Sequence, residues 1–311
     1  MTSSSMTKFE DIDAVTRRFE ISKLKAPKGS VDLRYGVYKQ DGEPRQYVVF
    51  LNGRSEWIEK YAYLAADLAL PAGTGFLTWD HRGQGDSGGS RAHIDDYETF
   101  VQDAEHVIGS VVGDKPYVLM AHSMGSLISL YGTLKGALKP QALVLGSPLL
   151  GLPNRPVPRP LAKPLSKLLT QVGLGPCSSG AGGFEAAPFA DNILTHSPDL
   201  YQRIVAGPYK LPGATFGWVS ASFQAIDVCF NPNYLARLSV PTLVLGAAEE
   251  SVVDPDCASN WVRVASQHAK GDVQLNVVHG ARHELFSELP RLYEGAIQSA
   301  RSWIFSHMSA R

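Results

Sequence analysis

The segment "LMAHSMGSLI", residues 119–128, sets an apolar run against a serine with small neighbours. Tyr117-Val118-Leu119-Met120 reads as a core strand, and Ser126 to Tyr131 continues with the mixed spacing of a helix packed on a sheet. Ser123 therefore falls at a strand-to-helix junction. A nucleophile turn of the form G-x-S-x-G needs small residues two before and two after the serine, because the chain doubles back so sharply that larger side chains collide. Those places hold Ala121 and Gly125. The methyl of Ala121 is the smallest departure from glycine. Small residues and serine also begin ordinary helices, where the hydroxyl caps the first free amides. The pattern alone leaves Ser123 as either a nucleophile or an N-cap.

Around this junction, short apolar runs alternate with helix-like stretches. They are Tyr47 to Leu51, Phe76 to Trp79, Tyr117 to Met120, Ala142 to Leu145, Thr242 to Leu245 and Val273 to Val278. Near-continuous runs suit strands covered on both faces, which predicts an α/β fold with a mostly parallel central sheet flanked by helices. Phe19 to Leu24 and Ser30 to Lys39 read as an antiparallel hairpin at the sheet edge. The spacing breaks between the fourth and fifth runs, where "LPNRPVPRPLAKPLSKLL" and "GPCSSGAGGFEAAP" are rich in proline and glycine. The division expected is a core of residues 1–147 and 237–311, interrupted by an inserted helical cap at 148–236. The cap segment carries many apolar residues. Leu149, Phe184, Phe189, Phe216 and Trp218 are the candidates for lining a substrate channel, the others forming a small satellite core.

Composition narrows the classes. The chain has 311 residues and 44% hydrophobic content, ample for a packed core. Its 29 Lys and Arg nearly balance 30 Asp and Glu, and no basic cluster interleaves with aromatics, so nucleic acid is not expected as a partner. The start, "MTSSSMTKFEDIDAVTRRFE", lacks the apolar core of a signal peptide, and no stretch holds roughly 18 uninterrupted apolar residues. Three widely spaced cysteines, Cys177, Cys229 and Cys257, offer neither a C-x-x-C pair nor zinc spacing. A cytoplasmic protein is expected, peripheral to a membrane at most, with the thiols as packing residues.

A nucleophilic serine needs a histidine to take its proton and a carboxylate to orient that histidine. "GAAEESVVDPD", after the strand Thr242 to Leu245, offers Glu249, Glu250, Asp254 and Asp256; "VVHGARHELF", after the last strand, offers His279 and His283. Each residue type stands just past a strand end, where ligands of parallel sheets bind. After Tyr47 to Leu51 comes "NGRSEW", where Gly53 permits the close backbone approach of an oxyanion loop. That makes the backbone amides of Arg54 and Met124 the donors.

"NGRSEWIEKYAYLAADLA", "FLTWDHRGQGDSGG", "AHSMG", "THSPDLY", "AAEESVVD" and "GARHEL" together resemble the bacterial lysophospholipases of the monoacylglycerol-lipase group of α/β-hydrolases, which includes serine-aminopeptidase-like proteins. The match runs from about residue 45 to 290 and covers every catalytic loop and the cap. The resemblance implies the α/β-hydrolase fold, Ser123 as nucleophile, His283 as base, and Arg54 and Met124 as oxyanion donors. Asn52 stands where monoacylglycerol lipases have histidine, and the acid position aligns with Glu250 where most relatives have aspartate. Glu250 is favoured as triad acid over Asp254, which followed by proline suits a turn or helix cap.

His279 and His283 lack the H-E-x-x-H pattern and a third ligand, so no metal or other cofactor is expected. His122 reads as packing against the turn. "DHRGQGDSG" lacks the lysine of a phosphate loop and reads as a structural turn, with Arg82 tying neighbouring loops. The leading expectation is a serine hydrolase acting on a small-molecule carboxylic ester or lipid with an apolar acyl chain, of lysophospholipid or monoacylglycerol type. A transient contact of the cap with a membrane surface is compatible with it. The alternatives are an aminopeptidase-like amide hydrolase and a hydrolase-fold binding protein without turnover.

Overall fold

Alternate residues of a strand point to opposite faces of its sheet, and in the centre of this molecule both faces are dry. Tyr47, Val49 and Leu51 belong to one apolar cluster and Val48 and Phe50 to the other; Leu119 and Ala121 are likewise separated from Val118 and Met120. The computed structural model describes residues 9–40, 42–154, 156–180, 183 and 186–308. Its strands are β1 (Glu20–Lys25), β2 (Asp32–Lys39), β3 (Gln46–Leu51), β4 (Thr74–Trp79), β5 (Tyr117–His122), β6 (Leu143–Gly146), β7 (Thr242–Ala247) and β8 (Val273–Val278). They form one sheet in the order β1-β2-β4-β3-β5-β6-β7-β8. The pairs β1/β2 and β2/β4 are antiparallel and all others parallel.

The helices are α1 (Phe9–Thr16), α2 (Ile58–Tyr61), α3 (Leu64–Asp67), α4 (Tyr97–Val111), α5 (Met124–Leu134), α6 (Arg159–Leu169), α7 (Pro198–Ala206), α8 (Phe216–Cys229), α9 (Pro232–Leu235), α10 (Cys257–His268) and α11 (Pro290–His307). Side chains of α4, α5, α8 and α10 fill one cluster, and those of α2, α3 and α11 the other. The edge hairpin falls where the sequence puts it. β8 differs from the expected buried run: Gln274, Asn276 and Val277 are exposed, because β8 is the far edge of the sheet.

Parallel register aligns the carboxyl ends of the strands. Leu51 pairs with Ala121, Ala121 with Leu145, and Gly146 with Leu245, so the loops after β3, β5, β6 and β7 open at the same edge. Between β6 and β7 the chain leaves the sheet and builds α6 to α9 over that edge. Of these helices, α8 packs into the sheet domain, whereas Leu200, Tyr201 and Ile204 of α7 are buried outside both sheet-face clusters. Trp218, Phe223 and Cys229 of α8 join the cluster of α4 and α5, which anchors this end of the insertion to the sheet domain. α6 packs on α8 but leaves one face open: Leu161, Leu165 and Leu168 are 62%, 44% and 56% exposed.

Candidate active site

Ser123 occupies the turn between β5 and α5 with φ 50° and ψ −113°, a conformation that only a tightly determined turn imposes on a residue with a Cβ. Its amide donates to Gly146 O at 2.9 Å, and its carbonyl accepts from Leu149 N at 3.1 Å. Its hydroxyl makes no cap bond to α5, so the local alternative of an N-cap fails. Gly125 explains the small residue two places on: a Cβ there would lie 2.2 Å from Leu51 O and 2.5 Å from Asn52 O. The first turn of α5 thus lies directly against the end of β3.

His283 is 3% exposed and its Nδ1 lies 2.8 Å from Glu250 Oε2. A carboxylate can only accept, so Nδ1 carries the hydrogen of this bond. Burial alone would raise the Glu250 pKa, but His283 and the amides of Val252 and Val253 outweigh it and hold the carboxyl below its ordinary range. The other acids turn elsewhere. Glu249 faces His196 and Arg282, Asp256 is exposed, and Asp254 pairs with Arg159 at the start of α6 while accepting from Asp256 N. His279 is exposed on the surface.

Ser123 and His283 line one cavity of about 350 Å³ beneath the insertion. Leu149, Phe216 and Trp218 line it as the sequence suggests, together with Leu152, Val219 and Phe223. Phe189 does not. It is 40% exposed and packs its ring on Tyr201 at 5.7 Å, because its short helical turn faces outward beside α7. Phe184 falls outside the described residues.

The loop after β3 is clamped from two sides. His81 Nε2 approaches Asn52 O at 3.0 Å, Gln84 Oε1 accepts from Ser55 N at 2.7 Å, and Asp80 Oδ1 accepts from Ile58 N at 2.9 Å. Burial lowers the His81 pKa to about 4, so the ring is neutral and donates from Nε2. Arg82 ties loops as expected, holding Asp103 with two bonds and Lys28 O with a third. The loop's second clamp is Glu56, whose Oε2 accepts the Gly53 amide. Gly53 N is thereby engaged; Arg54, the next residue, lines the cavity, and Met124 is the first residue of α5.

Glu56 belongs to a buried group that the sequence alone does not reveal. Lys60 Nζ lies 2.7 Å from Glu56 Oε1 and 2.8 Å from Glu284 Oε1. Tyr61 OH donates to Glu284 Oε2 at 2.7 Å. His122 Nδ1 is 3.1 Å from Glu56 Oε1, and its Nε2 is 3.1 Å from His283 O. Both ring nitrogens face acceptors, so both carry hydrogen and His122 is an imidazolium. Burial would lower its pKa, yet Glu56 and Glu284 raise it. Two carboxylates then balance an ammonium and an imidazolium, and all four are buried. Among the described residues Glu56, His122 and Glu284 are close enough to share a metal ion. The Lys60 ammonium takes the bridging place between the two carboxylates. His122 also donates to the carbonyl of His283, as does Ser147 Oγ at 2.7 Å.

A family model described as "Serine aminopeptidase, S33" matches residues 42–290. The chain belongs to the S33 family. This S33 protein is 28% identical over 288 residues to a monoacylglycerol lipase of Mycolicibacterium smegmatis, covering 90% of the chain and 95% of the relative. It is 30% identical over 285 residues to lysophospholipase L2 of Escherichia coli, covering 84% and 81%. A soluble variant of monoglyceride lipase from Saccharomyces cerevisiae superposes with a TM-score of 0.75 at 19% identity, covering 94% of this chain and 96% of that one. The architecture is the α/β-hydrolase fold, as the resemblance implied.

Proposed function

We propose that Ser123, His283 and Glu250 form a catalytic triad that cleaves carboxylic esters through an acyl-enzyme. The protein is a carboxylic ester hydrolase. The observation that carries the mechanism is the pairing of His283 Nδ1 with Glu250 at 2.8 Å, at a cavity that also exposes the strained Ser123. In this reading the Ser123 hydroxyl attacks the ester carbonyl and passes its proton to His283 Nε2, while Arg54 and Met124 amides receive the oxyanion. His283 returns the proton to the leaving alcohol. Water, deprotonated by the same nitrogen, then releases the acid and restores Ser123.

The relatives named as lipases and lysophospholipases support a lipid ester as substrate, and the mostly apolar cavity wall supports an acyl chain. Residues 148–236 act in this reading as a cap over the chain. Each buried methylene contributes up to roughly 0.8 kcal/mol, so kcat/KM should climb with acyl length until the cavity is full. A flat profile from acetate upward contradicts the acyl pocket. A fluorophosphonate should add to Ser123, read as an intact-mass shift absent from Ser123→Ala; an unlabelled native protein contradicts the triad and leaves the binding-protein reading standing. The amide alternative needs a carboxylate for a free amino group. The acids lining the cavity, Glu56 and Glu284, are already committed to Lys60, so the ester reading is favoured.

No helix among the described residues is long and apolar enough to cross a membrane. Leu161, Leu165 and Leu168 of α6, with Val157 and Val172, are nevertheless an exposed apolar rim, of which Val157 and Leu165 also line the cavity. In the proposed function this rim touches the lipid surface that supplies substrate. Sedimentation with phospholipid vesicles should fall in Leu161→Glu/Leu168→Glu; unchanged sedimentation refutes the contact.

A further inference from the structure

His283 stands in a loop that the sheet supports from one side only. β8 is the last strand at its edge, and its pairing with β7 ends at Ala247 and Val278. Beyond that point the loop after β7, residues 248–256, is joined to the loop after β8, residues 279–289, by two backbone bonds. Ala248 N donates to Val278 O at 3.3 Å and Glu249 N to Ala281 O at 2.9 Å. Glu250 and His283 both lie past these bonds.

The insertion takes the open side. Its stretch "THSPDLY", residues 195–201, leads into α7. Leu194 O accepts from Glu284 N at 3.0 Å, and Arg282 Nη1 donates to Asn192 O at 2.8 Å and Thr195 O at 3.3 Å. Both neighbours of His283 are thus bonded to the insertion. Thr195 Oγ1 adds a bond to Ser287 O. His196 reaches furthest. Its Nδ1 lies 2.9 Å from Glu288 Oε1, and its Nε2 lies 3.2 Å from Oε2 of Glu249, the residue before Glu250. Glu288 is fully buried and also accepts the amides of His196, Arg282 and Leu289. One imidazole therefore spans from the loop after β8 to the loop after β7, with both contacts at hydrogen-bond length.

We propose that His196 is a positioning residue for the triad, holding the loops of Glu250 and His283 at the spacing that their 2.8 Å bond requires. The inference rests on the ester-hydrolase reading above. His196 lies outside the cavity lining, so it acts on the reaction only through Glu249 and Glu288. An exposed ion pair by itself contributes little. A ring anchored on a buried carboxylate is different, because it cannot move without moving both loops, and small displacements of reacting groups are costly in rate.

The test measures kcat, KM and the rate of fluorophosphonate labelling, with p-nitrophenyl butyrate as substrate. His196→Ala should lower kcat about 10- to 100-fold and slow labelling in step, with KM changed by less than about twofold. His196→Asn, whose amide can still meet Glu288, should recover part of the loss. Glu249→Gln changes a half-exposed side chain. It should lower kcat several-fold in the native background and no further in His196→Ala, since the two residues act through one contact. A histidine that only fastens the insertion predicts the reverse split: KM rises and α7 is cut faster by protease, while kcat and labelling stay native in all three variants. That result, or losses that multiply independently in the double variant, overturns the proposal while native ester turnover persists. Should His196→Ala fail to fold, Glu249→Gln decides, and a native kcat there overturns it. Native protein that neither labels nor cleaves the ester removes both readings.

Discussion

At Ser123 a positive φ holds the hydroxyl out of the helix it begins, and strain of this kind costs roughly 1–3 kcal/mol. The surrounding bonds to Gly146 and Leu149 keep it there. Ser123→Ala should lower ester turnover about 10³- to 10⁴-fold with an unchanged circular dichroism spectrum, since triad members act as a unit. His283→Ala should be comparably damaging and the exposed His279→Ala mild; the reverse ranking in steady-state rates would move the base to His279. The acids separate just as sharply. Glu250→Gln removes the acceptor of His283 Nδ1 and should reduce kcat about 10³- to 10⁴-fold. Asp254→Asn should spare kcat and instead loosen α6, whose Arg159 it pairs with, seen as faster proteolysis of the insertion. An inactive, folded Asp254→Asn beside an active Glu250→Gln would reassign the acid.

Elements meet at this site through polar bonds as well as packing. β5 supplies His122, the loop into α2 supplies Glu56, α2 supplies Lys60 and Tyr61, and the loop after β8 supplies Glu284. Their buried group ties the loop after β3 to the loop after β8: Glu56 accepts the Gly53 amide, and His122 holds His283 O. Removing one member of a buried ion pair leaves its partners uncompensated and costs about 3–5 kcal/mol. Glu56→Gln keeps the shape and loses the charge. It should lower the unfolding free energy by an amount of that order in urea titrations. It should also reduce kcat more than it raises KM, because in the proposed mechanism the oxyanion amides shift while the apolar cavity wall stays. A variant with native stability and kcat would show that the group does not position the site.

Over the whole molecule these charges make stability depend on pH in a defined sense. The carboxyls of Glu56 and Glu250 are held below their ordinary value of 4.5, so their contribution is present above that value and is lost as pH falls through the depressed folded one. His122 is held above its ordinary 6.5. Its contribution is present below 6.5 and is lost as pH rises through the raised folded value. Thermal melts of native protein and His122→Asn should therefore differ most below pH 6 and converge toward alkaline pH. A difference that grows with pH would mean that His122 is neutral in the fold.

The sequence by itself determined the periodic architecture. Six apolar runs and an edge hairpin define the sheet because alternation and burial are local properties of strands. It also placed Ser123, His283 and a short choice of acids at strand ends, because parallel topology brings all such ends to one edge. Gly53 and Gly125 were legible from the close backbone approach that such turns require, and at Gly125 that approach excludes a larger residue. Three matters were left to tertiary structure. Glu250 and Asp254 differ by four positions and one methylene, and only the fold turns one toward His283 and the other toward Arg159. Phe189 and Trp218 are both large aromatics in the same insertion, yet only packing decides that one faces solvent and the other the cavity. The Glu56, Lys60, His122 and Glu284 group joins side chains up to 228 positions apart, from residue 56 to residue 284. A charge so remote from its partners carries no local signature, and its balance exists only once the chain has buried all four together.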